Sequence, residues 1–141
     1  MSMAPLANPY TGSLIFGQIP ALALAGIAYP EADVFLFAGK HSGPNRGFGS
    51  KHIWAEHRNE MGKAGLFQEE DVARYVLTII RSGAPLIFEG ASWRNTRLMV
   101  VRAVAGTAVL EFREQRQWPI WSIVTAYSGT KTHGTRVGTV R

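Results

Sequence analysis

The sequence predicts an α+β domain with N-terminal helices packed on a C-terminal four-stranded antiparallel β-sheet. Three observations carry this expectation. An apolar stripe of helical period runs through residues 69–80, alternation of period two sets in after Pro85, and short polar breaks divide that alternating stretch. The 141 residues suffice for one domain with a substantial core.

Residues 1–38 are rich in Ala, Gly, Pro and Leu, with weak periodicity, and admit a short helix over 21–27. Within them, 14–29 is apolar, yet too short for a membrane span and interrupted by Pro20. No Lys or Arg precedes Lys40, so the cationic start of a signal peptide is missing. This region is expected to be a packed helix or a junction to a longer parent protein. Residues 33–38 are strand-like in composition, and 39–49 (GKHSGPNRGFG), with four glycines and a proline, read as a loop.

Ser50 is placed to cap a helix over 51–61, with Gly62 to end it. A second helix opens on Glu69, Glu70 and Asp71, which suit its positive end. It carries Val72, Tyr75, Val76, Ile79 and Ile80 on one face and stops near Gly83. Residues 86–89, 97–104, 108–113 and 120–127 then read as strands, and their short connections predict antiparallel neighbours. The Gly/Thr/Arg-rich residues 128–141 read as a basic, flexible tail, leaving 39–127 as the functional domain.

Charge is unevenly spread. Residues 1–90 hold 7 Lys/Arg against 8 Asp/Glu, whereas 91–141 hold 8 against 2. A basic C-terminal third rich in arginine fits an anionic partner such as a phosphate backbone. With no cysteine there is neither a disulfide nor a thiolate metal site. The chain also lacks a Walker loop, an HExxH helix, a GxSxG elbow and a carboxylate cluster able to hold catalytic magnesium.

The candidate chemistry centres on Lys51-His52-Ile53-Trp54-Ala55-Glu56-His57. Positions 52 and 57 lie about 140° apart around a helix, so the two histidines do not share a face. His52 falls in the first turn, where unpaired backbone N–H groups and Lys51 would favour phosphate. The positive helix end would also keep His52 neutral, as a general base must be. His57 aligns with Ile53 and Met61, which points it toward the core. On the last strand, alternation puts Thr125 and Tyr127 on the face of Trp121 and Ile123. Trp93, Arg94 and Arg97 join an aromatic ring to two guanidinium groups, a pattern suited to single-stranded nucleic acid, and His41 and Arg46 of the glycine-rich stretch are placed to reach the same site. Glu56 and Glu60 are nearly the only acids nearby; a metal-dependent nuclease using His41, His52 and Glu56 is a third reading, which the small ligand count disfavours. The set needs no metal if RNA supplies its own 2′-hydroxyl as nucleophile.

The string GFGSKHIWAEH, an amphipathic helix ending in Ile-Arg-Ser-Gly, and a strand ending in IVTAY resemble the barnase–EndoU–colicin–RelE-like superfamily of nucleases, in its phage-associated and polymorphic-toxin branches. The resemblance covers roughly residues 47–127. It implies a barnase/RelE-like fold and metal- and cofactor-independent cleavage of RNA, commonly tRNA, leaving a 2′,3′-cyclic phosphate. Lys51, His52, His57, Thr125 and Tyr127 match as catalytic residues, with Arg94 and Arg97 as phosphate ligands by position only; Trp93 and Arg46 join them as expected substrate-binding residues from the residue reading alone. The resemblance further implies a toxin of the contact-dependent inhibition type, secreted or delivered into a target-cell cytoplasm. Such a toxin is neutralised by a cognate immunity protein and has no stable membrane association. The alternative is a non-catalytic RNA- or DNA-binding module with structural histidines.

Overall fold

A computed structural model describes residues 2–89, 98–115 and 118–141. The expected substrate ligands Trp93, Arg94 and Arg97 lie outside the described residues. The architecture overturns the expected fold class. It is mostly β, 47% strand and 20% helix, built on a large curled seven-stranded mixed sheet rather than helices on a four-stranded one.

The N-terminal region is built of strands, not a packed helix: β1 (Ser2–Pro5), β2 (Gly17–Ile19), β3 (Leu22–Leu24), β4 (Ile27–Tyr29) and, where the composition was already strand-like, β5 (Ala32–Phe35). The short helix that 21–27 would admit is instead the β3–β4 hairpin. Its two loop residues, Ala25 and Gly26, have φ of 51° and 80°, the left-handed pair that a tight hairpin turn needs. The glycine-rich stretch is a second hairpin, β6 (Phe37–Gly43) and β7 (Arg46–Phe48), turned at Pro44 and Asn45. Helix α1 (Gly49–Lys63) follows directly. Phe48 sits at its N-cap position in extended conformation, and Ser50, expected there, lies inside the helix and is buried. After a 3-10 turn at Glu69–Asp71 comes α2 (Val72–Ile79), whose buried Val72, Ala73, Tyr75, Val76 and Ile79 form the anticipated apolar face.

Strands β8 (Pro85–Phe88), β9 (Leu98–Ala103), β10 (Gly106–Gln115) and β11 (Trp118–Tyr127) form an antiparallel meander. It lies inside a longer sheet. On one side β12 (Thr135–Thr139), from the segment read as a flexible tail, pairs antiparallel with β8, and Val140 beyond it is buried. On the other side β5 pairs parallel with β11, and β2 pairs with β5, giving the order β12-β8-β9-β10-β11-β5-β2. Strands β1, β6 and β7 make a small separate sheet. The chain passes from β5 to β6 through the single residue Leu36, which is fully buried.

The main core gathers Ile53 and Met61 of α1, the α2 stripe, and Trp121, Ile123 and Ala126 of β11. A second cluster of Phe37, Phe48 and Ile120, with Phe35 and Val124 beside it, joins the small sheet to β11. No helix among the described residues is long and apolar enough to cross a membrane.

Candidate active site

Helix α1 packs between β6 and β11, so its polar side chains meet the β6–β7 hairpin and the end of β11. Its geometry is not that of one regular helix. His57 has φ −129° and ψ 16°, a break between two helical runs. Ile53 and Met61, four residues to either side, are fully buried, while the broken turn leaves the His57 side chain 23% exposed. The two histidines are exposed in the reverse of the expected order. His52, expected at an open phosphate site, is buried at 4% exposure, and His57, expected toward the core, is the accessible ring.

His57 Nδ1 is hydrogen-bonded to Glu60 Oε2. The other oxygen, Oε1, accepts both the backbone N–H and the hydroxyl of Ser128, each at 2.6 Å. Burial pushes the Glu60 carboxyl up, but the two Ser128 hydrogen bonds and the His57 contact outweigh it and hold the group below the ordinary carboxylate range. An ionised carboxylate accepts from Nδ1–H, which fixes the tautomer and leaves the Nε2 lone pair for chemistry. The Tyr127 ring lies 5.7 Å from that of His57. Burial, with a smaller contribution from Glu89, raises the Tyr127 phenol, so it stays protonated at neutral pH.

Tyr127 arrives there through an irregularity in β11. The register on β10 shifts between Val109, opposite Thr125, and Leu110, opposite Ile123, so Val124 is an extra residue. Strict alternation would put Thr125 and Tyr127 with Trp121 and Ile123. The bulge instead carries Ala126 into the core cluster with those two, and its neighbours Thr125 and Tyr127 take the other side. Thr125 Oγ1 is itself buried, with no hydrogen-bond partner among the described residues, so it is not presented to a substrate.

A second group lies along the same helix. His41 of β6 places Nδ1 3.0 Å from His52 Nδ1, and the two rings stack at 5.2 Å. Glu56, one turn after His52, accepts the Asn45 N–H at 2.7 Å, which tethers the hairpin tip to α1. That bond, outweighing a slight desolvation, holds the Glu56 carboxyl low. Burial lowers His52, against the opposing pull of Glu56. Gly47 makes the close approach possible. Its φ is 143°, and a Cβ there would stand 2.2 Å from Lys40 O and 2.9 Å from His52 Nδ1.

Lys51 is not part of either group. It lines a cavity of about 280 Å³ with Glu69 and Glu70, a setting that does not favour phosphate. Arg46 is exposed on β7. The described arginines of the C-terminal third are dispersed: Arg113 lies over the Phe48 ring, Arg102 bonds Thr132, Arg136 is exposed on β12, and Arg141 pairs with Glu31. Sequence reasoning gave Glu60 no role and missed Ser128. The His57-x-x-Glu60 spacing was a usable signal, whereas nothing in the sequence joins Ser128 to a helix 68 residues away. No protein-family model matches the chain, and neither does any curated protein or solved structure.

Proposed function

We propose that this domain is an endoribonuclease that cleaves RNA, tRNA foremost, by attack of the substrate's own 2′-hydroxyl, without a catalytic metal or cofactor. The observation that carries the reading is a half-exposed His57, oriented through Nδ1 by a pinned carboxylate and set beside a protonated tyrosine. His57 Nε2 takes the 2′-hydroxyl proton, O2′ bonds to phosphorus as the bond to the 5′-oxygen breaks, and a 2′,3′-cyclic phosphate is left. Tyr127 gives its proton to the departing 5′-alkoxide, which is more basic than even a raised phenol. Glu60 is the positioning residue, and Ser128 holds Glu60.

The basic pI of about 10.0 supports a polyanionic substrate. The motif-level resemblance supports the wider setting: a toxin delivered to a target-cell cytoplasm and neutralised by a cognate immunity protein. The test is incubation of the purified chain with total tRNA, with and without EDTA, followed by analysis of the 3′ ends. Cyclic-phosphate ends that form equally in EDTA, and vanish in His57→Ala, are expected. RNA binding with no cleavage would replace the enzyme with a binding module. Cleavage abolished by EDTA would move the chemistry to a metal.

A further inference from the structure

The group formed by His41, His52 and Glu56 is not used by the chemistry above, and its donors converge on one point. We propose that these three residues form a binding site for a single divalent transition-metal ion, zinc foremost, which clamps the β6–β7 hairpin to α1. The inference rests on geometry alone and holds whether or not the domain cleaves RNA.

One ligating atom from each residue lies within 4.8 Å of the others. The two Nδ1 atoms are 3.0 Å apart. Around tetrahedral zinc, with nitrogens at about 2.0–2.1 Å, neighbouring donors sit about 3.3 Å apart, so the Nδ1 spacing is within a few tenths of an ångström of the value needed and a modest turn of the exposed His41 ring brings both lone pairs onto one ion. In the metal-free chain two facing Nδ1 atoms can share one proton as a simple hydrogen bond. That bond uses neither the carboxylate beside it nor the free lone pair that a second imidazole nitrogen would offer an ion. A cation uses both. Glu56 and His52 are one helical turn apart, the spacing that lets two side chains of a helix hold one ion.

The surroundings also fit. Asn45 N–H holds Glu56 Oε1 and orients the carboxylate, leaving the second oxygen to the ion, as outer-shell donors do at metal sites. The absence of a side chain at Gly47 keeps the space next to His52 Nδ1 open. His41 is exposed, so a water can complete the coordination. Two imidazoles and one carboxylate select a borderline d-block cation over magnesium or calcium, which take oxygen donors.

The experiment titrates the full, untagged chain, stripped with a chelator and exchanged into metal-free buffer. Zn2+ is followed by calorimetry and Co2+ by visible absorption. One equivalent per chain is expected, with a dissociation constant on the order of 1 μM or below. Co2+ should show the intense bands of a low-coordinate nitrogen–oxygen site. His41→Ala and Glu56→Gln change exposed or half-exposed side chains and leave the core intact. Each should weaken binding by about 100-fold or more, at or beyond the top of the roughly 10–100-fold range lost with an outer-shell partner. His57→Ala should leave binding unchanged. Absence of saturable one-to-one binding overturns the proposal, as does binding that His41→Ala and Glu56→Gln do not alter. Because the readout is metal uptake, its failure is distinct from a failure to cleave RNA.

Discussion

Glu60 and Ser128 are joined twice, backbone N–H and side-chain hydroxyl both donating to one carboxylate oxygen at 2.6 Å, while the other oxygen holds His57. A residue late in α1 is thus fixed to the first residue after β11, and the orientation of the proposed base depends on that link.

Glu60→Gln tests the link with little change of shape. The amide oxygen still accepts from Ser128, but the amide nitrogen now faces His57 Nδ1 as a donor. The imidazole must then rotate or adopt the other tautomer, which takes the lone pair from Nε2. Turnover is expected to fall about 100-fold, with far-ultraviolet circular dichroism unchanged. Unaltered turnover would show that Glu60 does not position the base.

His57→Ala should remove activity by about 100-fold or more while shifting stability by no more than about 1 kcal/mol. The side chain is half-buried at a point where the helix is already broken, and its loss opens no core cavity. Denaturant unfolding of the variant checks this. A loss of several kcal/mol would restore the purely structural histidine.

Acid should weaken the fold through Glu60. Its folded pKa lies below the ordinary carboxylate value: burial pushes it up, but the Ser128 hydrogen bonds and His57 outweigh that. The phenol of Tyr75 is pushed up to about 12, chiefly by burial and further by the Glu60 charge, and stays neutral throughout this window. The sign follows from linkage. Stability from a depressed carboxylate is fully present above its unfolded pKa and is lost as pH falls through that value toward the folded one. Between pH values of about 5 and 3, wild type should lose more stability than Glu60→Gln. Parallel curves for the two proteins would contradict this.

Gly47→Ala should cost about 2 kcal/mol or more, lowering the melting temperature by several degrees. The new methyl meets the Lys40 carbonyl, a backbone atom that cannot move aside, and the backbone angle is one L residues avoid. Thermal unfolding followed by circular dichroism measures it.

The legible parts of this fold were those with a long repeat. The α2 stripe from Val72 to Ile79 and the apolar alternation of β9 to β11 each span enough residues for a period to stand out. Strands of three residues, as in β2 to β4, are too short to alternate visibly. The glycines of β6 and β7 mask a hairpin as a loop, because the same residues serve both. At the site, two local irregularities defeated otherwise sound periodic reasoning. A broken turn at His57 left that ring accessible, and one extra residue at Val124 moved Thr125 and Tyr127 to the other face, while the β6–β7 hairpin covers His52. Glu60 was visible as a residue but not as a partner, since its role depends on contact with a strand end distant in sequence.

The passage from β5 to β6 through Leu36 leaves no slack between the large sheet and the hairpin that carries His41. Strand β5 is aligned on β11 at Ile120, Trp121 and Ser122, and the far end of the same β11 carries Tyr127 and leads into Ser128. Both groups of polar residues are therefore surveyed from one baseline. Their separation is written in strand register, where the smallest error is a whole residue and turns every side chain over. Loops elsewhere in the chain can change length without moving either landmark.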